Sequence, residues 1–216
     1  MLYTAYELTH ATMAPLKALS EFGQQVNSSV FNPMAYTSMG RSMAAGCEVF
    51  NRITRRYARP KWDIETTTVK GKEVAVSIET KLCVPFCDLI HFRRDLPKGE
   101  HKNDPKVLIV APLSGHYATL LRGTVRAMLP EHDVYITDWR DTRNVPLSLG
   151  SFDLDDHIDE MMGFMRYLGP DLNVIAVCQP AVSVLAAVSL MAAQNDPMHL
   201  HSMILIRGPI NTRVNR

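Results

Sequence analysis

The stretch NVIAVCQPAVSVLAAVSL, residues 173–190, decides how the chain is read. Asn173-Val174-Ile175-Ala176-Val177 is a short, β-branched apolar run of strand character that stops at Cys178. After Gln179 and Pro180 comes an alanine-rich segment, long and apolar enough to be a buried helix. The pattern predicts a strand, a tight turn and a helix, with a thiol at the corner. In a parallel sheet such a corner lies on the carboxyl edge, where open α/β folds keep their ligands. It also lies over a helix N-terminus whose free N–H groups favour an anion, so a cysteine there is expected to ionise more readily than a free one. Cysteine is equally among the most buried residue types, and an inert core thiol is the alternative.

On both sides of this stretch the same alternation continues. KVLIV (106–110), DVYIT (133–137) and MILI (203–206) read as strands, and 117–129, 154–168 and 181–193 as helices. Near-continuous apolar strands alternating with helices mean a parallel sheet covered on both faces, an α/β fold. Ahead of it, from Thr66, the hydrophobic period is two. Val74, Val76 and Ile78 follow a Lys70-Gly71-Lys72 turn, predicting a hairpin, and a polar loop then runs over 95–104. Earlier still, Leu2, Tyr6, Leu8, Met13, Leu16, Leu19 and Phe22 recur at three- and four-residue steps, and Met43, Cys47, Phe50 and Ile53 repeat the pattern over 42–57. Two helices joined by the turn-rich NSSVFNP (27–33) are the simplest model. The chain thus divides into a helical region, 1–62, and a sheet domain, 63–216. Arg52, Arg55, Arg56 and Arg59 would share one helix face, either solvated or turned to an anionic surface.

With 216 residues, 46% apolar and 21% charged, the composition is that of an ordinary globular protein. A net charge of +1 gives no overall reason to expect a nucleic-acid partner. The four cysteines, Cys47, Cys83, Cys87 and Cys178, match no zinc spacing and read as reduced thiols. No apolar run has the length of a transmembrane segment and the first residues lack a basic-then-apolar leader, so a cytoplasmic location is expected.

Ala176-Val177-Cys178-Gln179-Pro180 has the five-position frame of the nucleophile elbow, Gly-x-Ser-x-Gly on a strained strand-to-helix turn. Small Ala176 stands for the first glycine, Cys178 for the serine and Pro180 for the second glycine. Proline suits a first helical turn, where its missing N–H would have had no partner. Ala111-Pro112-Leu113-Ser114-Gly115-His116 joins the first parallel strand to its helix, and in this frame that loop supplies one oxyanion N–H. The other would come from Gln179. An ordinary βα turn with Ser114 as helix cap is the alternative. Asp153, Asp155, Asp156 and Asp159 resemble a metal cluster, but Asp153 is a natural N-cap and the others suit a first helical turn, so no metal or cofactor is expected. His199 and His201 read as loop residues. Trp139-Arg140-Asp141-Thr142-Arg143 sits at a strand's carboxyl end, either lining a pocket or merely exposed.

The strings MLYTAYELTHATMAPLKAL, NPMAYTSMGRSMAAGCEVFNRITRRYARP, APLSGHYATLLRGTVRAMLPEHDVYITDWRD, FDLDDHIDEMMGFMRYLGPD and VIAVCQP resemble the intracellular polyhydroxyalkanoate (polyhydroxybutyrate) depolymerase family along essentially the whole chain. The resemblance implies an α/β-hydrolase-like catalytic domain behind N-terminal helices, acting on stored polyester granules in the cytoplasm. It also implies that Cys178 is the nucleophile. Family members are about twice as long, with their catalytic acid and histidine in the second half. The chain is therefore expected to be the N-terminal half of such an enzyme and to hydrolyse little by itself. Two departures stand out: Arg207-Gly208-Pro209-Ile210-Asn211 where the family tends to have Gly-Gly-Pro-Ile-Asp, and Ser183 where proline is common. The rivals are a polyhydroxyalkanoate synthase-like acyltransferase, which normally keeps glycines beside the cysteine, and a non-catalytic granule-surface protein.

Overall fold

The computed structural model describes residues 2–55, 59–97, 104–113, 117–211 and 213. The chain forms two compact units, residues 1–59 and 60–216.

The first unit consists of α1 (Leu2–Ser28) and α2 (Ser38–Thr54), linked through a single 3-10 turn, Pro33–Tyr36. Asn32 accepts the Met34 N–H with Pro33 opening the turn, and the Thr37 hydroxyl accepts the Gly40 N–H, so α2 begins ahead of the expected 42. The helices are tied by the Ser20 hydroxyl donating to the Cys47 carbonyl at 3.1 Å and the Asn51 amide donating to Gln24 Oε1 at 2.9 Å. Among the described residues the expected arginine face does not form on α2. α2 stops at Thr54 and Arg55 is already extended (φ −73°, ψ 129°), so Arg55 and Arg59 do not continue the helix that carries Arg52. Arg52 stays on the helix beside Glu48 at 2.5 Å, and Arg56 lies outside the described residues.

The second unit opens with the predicted hairpin of β1 (Thr66–Val69) and β2 (Lys72–Cys83). Both turn residues have positive φ, Lys70 at 49° and Gly71 at 80°, the mirror-image turn that suits twisted strands. β3 (Cys87–Arg94), absent from the sequence-based expectation, pairs antiparallel with both β2 and a later strand. It escapes pattern reading because both of its faces are largely buried, with His91 on one and Arg94 on the other interrupting the apolar run. Their partners are remote: Asp133 lies 2.7 Å from His91 Nε2, and Arg94 donates to Asp104 at 2.6 Å and to the Leu129 carbonyl at 3.0 Å.

The remainder follows the predicted alternation: β4 (Lys106–Val110), a 3-10 turn (Ala118–Leu121), α3 (Arg122–Met128), β5 (Asp133–Trp139), α4 (Leu154–Leu168), β6 (Leu172–Val177), α5 (Pro180–Ala193) and β7 (Leu200–Ile206). His201 falls in β7, not in a loop. The strand order is β1-β2-β3-β5-β4-β6-β7, with β5, β4, β6 and β7 mutually parallel. From β4 the chain steps one way to β5, then back across β4 to β6 and on to β7. Right-handed crossovers therefore put α3 on one face and α4 and α5 together on the other. This is the α/β-hydrolase-like arrangement. Leu89, Phe92, Leu108, Ile136, Met161 and Met165 form the fully buried centre of the core.

Candidate active site

Because the path reverses about β4, the carboxyl ends of β4 and β6 border the topological switch point, where open α/β sheets bind ligands. Val110 is paired with Ala176, so the chain leaving β4 and the turn leaving β6 start side by side.

The turn after β6 is strained at the cysteine. Cys178 has φ +66°, a conformation L-residues rarely adopt, and its side chain is exposed. Its N–H donates to the Ile206 carbonyl of β7 at 2.8 Å, and its carbonyl accepts the Ala181 N–H at 3.1 Å. Gln179 is already helical (φ −52°, ψ −45°) and its carbonyl accepts the Val182 N–H at 3.1 Å. Among the described residues the Gln179 N–H donates to no backbone carbonyl, leaving it available above the helix N-terminus. Ser183 is fully buried and its hydroxyl donates to the Pro180 carbonyl at 3.1 Å, which gives this departure from the family pattern a local role.

Two neighbours of the turn were not legible as site residues. Gly208, just past β7, crosses the start of α5 so closely that an added Cβ would lie 2.2 Å from the Ala181 Cβ. The close approach thus depends on a glycine of the neighbouring strand's exit as well as on small Ala176. The only sequence signal was a Gly-Pro pair after an apolar strand. Arg207 stands at φ +52° with its side chain exposed, so its cost falls on the backbone and not on packing.

The chain leaving β4 is held at Ala111. Its N–H donates to Thr137 Oγ1 at 2.9 Å, and its carbonyl accepts the Trp139 indole N–H at 2.8 Å. Trp139 is buried rather than exposed, edge-on to His157 with ring centroids 4.8 Å apart. Ser114, Gly115 and His116 lie outside the described residues.

α4 begins as predicted: Asp153 accepts the Asp155 and Asp156 N–H groups while Asp156 reaches back to the Asp153 N–H, a capping box. A buried histidine and a half-buried carboxyl follow on that helix. Burial holds the His157 imidazole down to about 4, and burial, then the charge of Asp156, pushes the Glu160 carboxyl up to about 7. Among the described residues no three His, Cys, Asp or Glu side chains are placed to hold a metal ion, and no helix is long and apolar enough to cross a membrane.

Fold and site geometry together define an α/β chain of α/β-hydrolase-like strand order with an exposed, positive-φ cysteine on its switch-point turn. No family model and no curated protein matches the sequence. Among solved structures, the chain is similar to an esterase of Rhizomucor miehei (12% identity, TM-score 0.42, 87% of this chain and 57% of that one). A second is a mutant α/β-hydrolase from the metagenome of Lake Arreo, Spain (16% identity, TM-score 0.39, 78% of this chain and 58% of that one). The chain spans less than two thirds of the length of each.

Proposed function

We propose that the chain carries the nucleophilic half of a carboxylic ester hydrolase that cleaves poly(3-hydroxybutyrate)-type storage polyester, with Cys178 as nucleophile. The observation that carries this reading is Cys178 itself, an exposed thiol at φ +66° on the switch-point turn. Backbone strain of this kind, costing about 1–3 kcal/mol, persists where the surrounding structure over-determines it, and it clusters at active sites. In the proposed step the Cys178 thiolate adds to an ester carbonyl, forming the C–S bond. The Gln179 N–H and a donor from the segment after β4, where Ser114 lies, hold the oxyanion. Collapse breaks the C–O bond, the alkoxide leaves with a proton, and water then cleaves the thioester, releasing the acid and the thiol. In the family that the quoted strings resemble, a histidine and a carboxylate run these proton transfers. Pro180, two residues after the cysteine, favours hydrolysis over the synthase-like alternative, which normally keeps glycines flanking the cysteine. The polyester itself is supported by the family strings and by the apolar side chains that α1 leaves exposed, among them Leu8, Leu19 and Phe22.

The test combines amorphous polyester granules with an activated butyryl ester. The chain should sediment with granules and take up one butyryl group on Cys178, detected by mass spectrometry, while Cys178→Ala binds granules and takes up none. Butyrylation that survives in Cys178→Ala, or an unmodified parent thiol, would overturn the nucleophile; granule binding without it would leave the surface-protein reading.

A further inference from the structure

Ala111 is the first residue beyond β4, and neither of its backbone polar groups is held by the sheet ladder, which ends with Ile109 opposite Ile136 and Val110 opposite Ala176. Two side chains of β5 take over. Thr137, fully buried, accepts the Ala111 N–H at 2.9 Å, and Trp139 donates to its carbonyl at 2.8 Å. Residues 137 and 139 share one side of the strand, so both reach the same residue. The indole is itself braced, edge-on to His157 at 4.8 Å and tilted against Phe152 at 5.8 Å. Pro112 has no N–H, so the first amide that can donate after this clamp is Leu113's, and it meets no acceptor among the described residues.

We infer that Thr137 and Trp139 are positioning residues for acyl transfer: by fixing the backbone on both sides of Ala111 they aim the Leu113 amide at the oxyanion that forms on a substrate of Cys178. The inference rests on the ester-hydrolase reading and adds to it the device that orients the second donor. Oxyanion donors act through preorganised geometry, and a misplacement of about 1 Å can cost on the order of a hundredfold in rate.

Two reactions of the same thiol separate aiming from general integrity. Acylation by a p-nitrophenyl ester passes through an oxyanion; alkylation by iodoacetamide does not. Thr137→Val and Trp139→Phe should each slow acylation of the full chain by roughly 10–100-fold while leaving alkylation within about twofold, and Thr137→Ser should restore it. Equal loss in both reactions, or no loss in either, overturns the inference. Should Trp139→Phe fail to fold, the comparison of Thr137→Val with Thr137→Ser decides. A parent chain that is alkylated but never acylated refutes the ester-hydrolase reading and this inference with it, whereas a parent that is acylated with unaffected variants refutes the inference alone.

Discussion

At Cys178 the backbone and the chemistry make opposite demands. The φ of +66° is one that glycine adopts without a Cβ penalty, yet the position bears a thiol. Cys178→Gly should therefore raise stability in urea unfolding by about 0.5–1 kcal/mol while abolishing acylation, a trade expected of strained functional residues. Destabilisation by that change would contradict the strain. Glu160 makes a second residue-scale case. Its folded value of about 7 lies above the ordinary 4.5, so its contribution favours folding below about 4.5 and is lost as pH rises through 7. His157 runs the other way: held at about 4 against 6.5, it contributes stability above 6.5 that is lost as pH falls through 4. Glu160→Gln should raise stability at pH 8 by roughly 1 kcal/mol, allowing for solvent screening, and change little at pH 4. Thermal melts at the two pH values check the sign.

Among the elements, two places show what local pattern does and does not carry. The β1–β2 turn is a local matter: Lys70 and Gly71 take positive φ because a two-residue link between twisted strands requires it. Lys70→Asn, better suited to that conformation, should stabilise by about 0.5 kcal/mol. The join between α5 and the exit of β7 is not local. A Cβ at residue 208 would meet Ala181 at 2.2 Å, so Gly208→Ala should cost about 1–3 kcal/mol and alter the rate of Cys178 alkylation, since the displaced helix start carries the elbow. An unchanged melting temperature would mean that the two segments part without strain. β3 and the arginine run illustrate the converse. β3 was hidden by His91 and Arg94, buried polar residues whose acid partners are remote. The arginine spacing promised a helix face, but Arg55 takes an extended conformation at the end of α2.

For the whole molecule, the exposed apolar side chains of the helical unit bear on the proposed substrate. Leu16, Leu19 and Phe22 recur every third residue of α1 and are 51%, 67% and 66% exposed. If α1 meets amorphous polyester, replacing the three with glutamine should weaken co-sedimentation with granules by about tenfold, given the value of buried apolar area. Alkylation of Cys178 should be unaffected. Retained sedimentation would move granule contact elsewhere on the chain. The sequence by itself determined the alternating strands and helices, the cap of α4 and the corner at Cys178, because these follow from side-chain periodicity and neighbours a few residues away. Tertiary structure alone decided that β4 and β6 lie together, that Thr137 and Trp139 hold Ala111, and that Gly208 crosses Ala181. Those contacts join residues about 26 to 66 positions apart, and they exist only once right-handed crossovers have ordered the strands.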